Sequence, residues 1–226
     1  LVDFNVLRKR IAEASRLTFE AVRAAHPEQR FYAFALYTVD DAVAINPSMN
    51  SEEAYHDAVA RETADEENTR WLISNGISPQ ASLLGDHRWS AFDWEFDCAE
   101  SDSFEAINEL INNRGAGIYD EGDALGFEKF KAGVMASMVL ALSDVIASGA
   151  IADRIGITLF CSVADSEDAV WFEEDSARRL NSSTLFQAFH KERITYISED
   201  RATDDIAAQS VRGLYLAHLQ ATGGVV

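Results

Sequence analysis

The sequence predicts a single α+β domain over residues 1–226, with several long helices packed on a small, mainly antiparallel sheet and a tail, 220–226, that frays. Three observations carry this. Apolar residues recur at helical spacing over several long stretches, whereas strand-like runs are few. One aromatic-rich run is joined to a second apolar run by a turn signal, as in an antiparallel hairpin. No repeat, low-complexity tract or Pro-rich linker divides the 226 residues, and 47% apolar side chains suffice for one core without disulfide or metal staples.

The elements follow in order. Asp3 is placed to cap a helix to about Ala25, with Leu7, Ile11, Ala14, Leu17, Ala21 and Val22 on one face; His26-Pro27 ends it. Phe31 to Val39 and Val43-Ala44-Ile45 form the hairpin around Asp40-Asp41, and Asn46-Pro47-Ser48 is expected to break the second strand. Ser51, followed by Glu52 and Glu53, starts a helix to about Ser74, closed by the left-handed cap Asn75-Gly76. Ile77 to Gly85 reads as loop, and Trp89 to Phe96 fits either a strand or a short helix. Ser103 to Asn112 is helix, and Gly115 to Gly126 an exposed loop. Phe127, Phe130, Val134, Met138, Leu142 and Val145 mark the strongest helix, closed by Gly149. Ile155 to Val163, continuously apolar, is a strand for the centre of a sheet. Asp165 to Asp175 reads as acidic loop, Ser176 to Lys191 as helix, Ile194 to Ile197 as a short strand, and Asp204 to Gln220 as the last helix.

Thirty-eight acidic against 19 basic residues give a net charge of −19. Four of the 19 are Lys (Lys9, Lys129, Lys131, Lys191) and the rest Arg. Binding to nucleic acid by counterion release needs clustered cations, so nucleic acid is excluded as a partner. Two readings of the acidity stay open: a saline habitat, or steering of a cationic protein partner. Cys98 and Cys161 are far apart and make no zinc spacing, which suits a reduced cytoplasm. No secretory signal opens the sequence, and Ala132 to Ala152, though long enough to span a bilayer, reads as a buried core helix; no membrane is expected as a partner.

Known catalytic patterns do not emerge. Glu53-x-x-His56 has di-iron spacing but lacks its second copy. Gly115-Ala116-Gly117 lacks the third glycine and the preceding strand of a phosphate cradle, and Asp120-Glu121-Gly122-Asp123 is too short for a calcium loop. No Gly-x-Ser-x-Gly elbow occurs. No catalytic, cofactor or metal residue is therefore assigned. The segment holding Asp165, Glu167, Asp168, Trp171, Glu173, Glu174 and Asp175 is the candidate partner-binding patch, with Trp171 as anchor and the acids as steering rim. Trp89, Phe92, Trp94 and Phe96 are expected in the core.

Several segments together carry a resemblance. They are Phe31-Tyr32-Ala33-Phe34-Ala35-Leu36-Tyr37, Asn46-Pro47-Ser48-x-Asn50, Arg88-Trp89-Ser90, Trp94-Glu95, the Phe127/Phe130 helix ending in Ala141-Leu142, and Ser176-Ala177-x-x-Leu180-Asn181. From about Phe4 to Asn181 the chain resembles an uncharacterised bacterial family, the domain of unknown function numbered four-three-zero-three. Families of this kind stand beside polymorphic toxins, so the resemblance implies an immunity-type role by association and supplies no active site. The leading expectation is a cytoplasmic, non-enzymatic domain that binds a basic, toxin-like protein. The alternatives are a hydrolase or transferase assembled from distant carboxylates with His56, His87 or His190, and a structural or oligomeric component.

Overall fold

The computed structural model describes residues 2–76, 88–151, 156–166, 168–197 and 206–222. Helix α1 (Phe4–Ala25) starts where Asp3 accepts the N–H groups of Asn5 and Val6 at 2.9 and 3.2 Å. It buries Leu7, Ile11, Ala14, Thr18, Phe19 and Val22, but Leu17 falls outside that stripe and is exposed. Strand β1 (Phe31–Val39) and strand β2 (Ile45–Ser51) make the expected hairpin. Asn46-Pro47-Ser48 does not break β2. Ile45 and Pro47 turn their backbone polar groups away from β1, so the missing Pro N–H costs no ladder bond. On that outer side Asn108 bonds both the N–H and the C=O of Ile45, and the Pro47 carbonyl accepts from the Cys98 N–H at 3.0 Å.

Ser51 caps α2 (Glu52–Ala64) through the Ala54 N–H. The single helix expected to Ser74 is instead broken at Asp65, whose carboxylate caps α3 (Glu66–Ser74) by taking the Glu67 and Asn68 N–H groups. Gly76, at φ +75°, ends α3 as expected. The expected loop 77–85 lies outside the described residues, as does His87. Trp89 to Phe96 resolves into a 3-10 turn at Ala91–Asp93 and the two-residue strand β3 (Phe96–Asp97). A second 3-10 turn at Asp102–Phe104 leads into α4 (Glu105–Asp120). Most of the expected glycine loop is therefore helix. Gly115 sits where an added Cβ would lie 3.2 Å from the Phe130 ring, so it lets α4 approach its neighbour closely.

That neighbour, α5 (Ala124–Ala147), is the only helix among the described residues long and apolar enough to cross a membrane, and it lies largely inside the protein. It packs on α1, on α4 and on the last helix. Strand β4 (Thr158–Ala164) pairs parallel with β1, so the sheet is mixed, in the order β3-β2-β1-β4. The mainly antiparallel sheet is thus corrected, and so is the central position of β4; Ile155 lies outside the described residues. β4 is an edge strand with every residue buried, because α6 (Ala169–Leu180) closes its open side. Ser176 accepts the Cys161 N–H and donates to the Cys161 carbonyl, and Asn181 does the same for Leu159.

Asn181 and Ser182 divide what reads as one helix into α6 and α7 (Ser183–Ile197); the short strand expected at 194–197 is the end of α7. The last helix is α8 (Ile206–Ala221), and the tail 223–226 lies outside the described residues. Both faces of the sheet are covered. Phe34, Leu36, Leu159 and Cys161 meet α1, α5 and α8. On the other face the small Ala33 and Ala35 leave room for Trp89, Trp94, Phe160 and Phe189.

Candidate functional site

The segment expected as an acidic loop is the entry and first turns of α6, and the chain itself engages most of its carboxylates. Asp168 is buried, 2.8 Å from the equally buried Lys131 ammonium, and accepts the Trp171 indole N–H at 2.9 Å. Lys131 also reaches Asp40 at 2.7 Å. Burial works against its charge, but the hydrogen bonds to Asp168 and Asp40 outweigh this and raise its pKa. Glu173 is buried between the Arg193 guanidinium and the Ser162 hydroxyl, at 2.6 Å from each. Glu174 pairs with His190 at 2.6 Å, and Asp175 with Arg179 and the Tyr215 hydroxyl at 2.7 and 2.8 Å. Trp171 is half-buried, its ring 5.5 Å from that of Tyr215. Asp165 is exposed, at φ 55°, and Glu167 lies outside the described residues.

A different surface carries acids that the chain leaves open. Between Arg88 and Arg114 there is no Lys, Arg or His, while Asp93, Glu95, Asp97, Glu100, Asp102, Glu105 and Glu109 follow one another. All but Asp97 are exposed, and among the described residues only Glu95 forms an ion pair, with Arg61 at 3.4 Å. Phe92, at 42% exposure, stands at the start of this strip. Trp89, Trp94 and Phe96 turn inward as expected, so Phe92 is the member of that aromatic set that does not. Cys98 and Glu100, both at φ 52°, are non-glycine residues in the left-handed region and cost about 1 kcal/mol each. They swing the chain from β3 toward α1, where the Thr18 hydroxyl donates to the Glu100 carbonyl at 2.9 Å.

A knot of contacts fixes the chain just before the strip. Arg88 lies 4.3 Å over the Tyr32 ring and 5.0 Å from that of Tyr55, clamped by Glu52 and Glu192 at 3.1 and 3.0 Å. Glu192 also accepts the Trp89 indole N–H at 2.9 Å, and the Tyr32 hydroxyl donates to the Arg88 carbonyl at 2.8 Å. This knot ties β1, α2 and α7 to the start of the strip.

The sequence profile of the family described as a domain of unknown function, DUF4303, matches residues 11–182. The chain belongs to this family. No curated protein and no solved structure matches the chain significantly. The DUF4303 span takes in all four strands, Arg88 and the acidic strip, and ends with α6. α7 lies beyond it, so Glu192 of the knot and Arg193, the partner of Glu173, come from outside the matched span.

The groups considered for catalysis are dispersed in this DUF4303 chain. His56 is exposed and turns its Nδ1 to the Glu52 carbonyl of its own helix. Glu53 is taken up by Arg30, whose side-chain hydrogen bond holds the carboxyl at about 2. His190 meets Glu174 and stacks on Phe186, with ring centroids 5.6 Å apart. The Cys98 thiol is pushed up to about 11 by burial and by Asp97, opposite to what a thiolate nucleophile needs. No group of three or more His, Cys, Asp or Glu side chains stands in metal-binding arrangement among the described residues. The strip is legible in the sequence as a cation-free interval, whereas the run at 173–175 is denser in acids.

Proposed function

We propose that this chain is a non-catalytic, cytoplasmic protein-binding domain that receives a basic protein, as an immunity-type inhibitor receives its toxin. The observation that carries the reading is the strip from Asp93 to Glu109, with its exposed carboxylates, one ion pair and no intervening cation. Unneutralised acids on one run of chain raise the encounter rate with a cationic surface, and an exposed aromatic beside them supplies the desolvated contact that charge alone lacks. Phe92 has that position. The exposed Cys98 thiol, unbridged, suits a reducing compartment.

The test begins with a pull-down at low salt from the source cells and continues with the purified basic protein it identifies. Glu100→Lys/Asp102→Lys/Glu105→Lys should weaken binding of that protein at least tenfold and flatten its salt dependence. Asp41→Lys/Glu67→Lys, which reverses two exposed acids elsewhere, should change affinity less than about twofold. Equal losses in both variants would reduce the binding to nonspecific charge attraction. Unchanged affinity in the strip variant together with a loss in Asp165→Lys would move the surface to the 165–175 segment. If no basic protein is retained at low salt, the reading fails.

A further inference from the structure

A cleft of about 440 Å³ opens at the far end of α4, where Phe4 of α1, Ile118 of α4 and Leu125 and Phe130 of α5 form apolar walls. Its volume falls within the roughly 300–1,000 Å³ of small-molecule sites. Leu125, 57% exposed, lines the cleft as well. Two cations line the same cleft, Arg114 and Lys129.

Their isolation matters because cations are scarce here. In a chain with twice as many acids as bases, Arg8, Arg16, Arg30, Arg88, Lys131 and Arg193 each hold a carboxylate at 2.5 to 3.0 Å. Arg114 and Lys129 form no ion pair with any described residue, although Glu121 and Asp123 border the same cleft. Asp123 is committed as the cap of α5, accepting the Gly126 N–H at 2.8 Å. Arg114 and Lys129 therefore stand beside an apolar hollow with no carboxylate of a described residue at ion-pair distance, Glu121 and the capping Asp123 bordering it.

We infer that this cleft binds a small organic carboxylate with an apolar body, of which a medium-chain fatty acid is the simplest example. The carboxylate sits between the Arg114 guanidinium and the Lys129 ammonium, and the chain lies along Phe4, Ile118 and Phe130. The bidentate fork of Arg suits a carboxylate, and the aliphatic body displaces water from walls that cannot hydrogen-bond it. This inference stands apart from the acidic strip, which involves none of these residues.

Calorimetric titration of the full chain with sodium decanoate, held below its micellar range, tests it. One decanoate should bind per chain, with decanol and decylamine each at least tenfold weaker. Arg114→Gln/Lys129→Gln should weaken decanoate at least tenfold, Leu125→Asp should do the same, and Lys9→Gln/Arg10→Gln should leave it unchanged. Circular dichroism of each variant establishes that it is folded. Absence of saturable binding overturns the inference, and so does binding of decanol as tight as that of decanoate. Co-sedimentation with phosphatidylglycerol vesicles without decanoate binding overturns it too, because the surface then meets a membrane.

Discussion

Replacing Lys131 by Met removes the ammonium paired with the buried Asp168 carboxylate while keeping the apolar stem of the side chain. The side chains of Lys131 and Asp168 are 7% and 5% exposed, so neither regains water when the other is lost. Asp40, whose side chain is 61% exposed, returns to solvent and contributes about 1 kcal/mol or less. Asp168 keeps the Trp171 N–H but loses its counter-charge, and breaking such a buried pair costs about 3–5 kcal/mol. With a urea m-value of about 3 kcal/mol/M, the midpoint should fall by about 1–2 M. Lys131→Met/Asp168→Asn should regain most of it. A single-variant loss under about 1 kcal/mol, or a double variant no more stable than the single, would refute the reasoning.

Two further outcomes are expected. Gly133 lies under Phe4, and a Cβ there would meet the Phe4 ring at 2.3 Å, so Gly133→Ala should expel the ring from its place beside His218 and cost about 1–3 kcal/mol in urea unfolding. Adding Phe4→Ala should cost less in that background than in the native one, and equal costs would show that the ring never sat there. Iodoacetamide should alkylate Cys98 of the folded chain slowly at neutral pH, with a rate rising about tenfold per pH unit, and should leave the buried Cys161 untouched until urea unfolds the chain. Rapid alkylation of Cys98 at neutrality would contradict its raised pKa.

Local chemistry was legible wherever one residue type decides the backbone. Asp3, Ser51 and Gly76 do what their side chains, or the lack of one, dictate, and the hairpin around Asp40-Asp41 follows from its flanking runs. Tertiary partners decided the rest. The apolar run of β4 records burial on both faces, which a central strand and a covered edge strand share; only Ser176 and Asn181, bonding Cys161 and Leu159, tell them apart. Pro47 reads as a breaker until Asn108 and Cys98 show which side of β2 it faces. Gly115 reads as loop because the signal for its close helix contact lies on the other helix, at Phe130.

The different treatment of the two acidic runs has the same kind of cause. On a helix three consecutive acids span about 200° of the circumference, so Glu173, Glu174 and Asp175 cannot all face water when Phe172, Ser176 and Leu180 define the buried side. Glu173 lies on that side and had to be met by Arg193 and Ser162; Glu174 and Asp175 flank it and draw His190 and Arg179. Along 93–97 the chain instead alternates with period two. Trp94 and Phe96 turn inward, Asp93 and Glu95 turn outward, and Asp97, half-covered, takes the Tyr37 hydroxyl at 3.1 Å. Such alternation separates acid from core with little need of a compensating cation: the sequence has none between Arg88 and Arg114, and Arg61 meets Glu95 alone at 3.4 Å among the described residues. Charge density alone therefore does not separate engaged from open acids in this chain. The phase of the acids against the apolar residues is what distinguishes carboxylates the fold must neutralise from those it leaves to solvent.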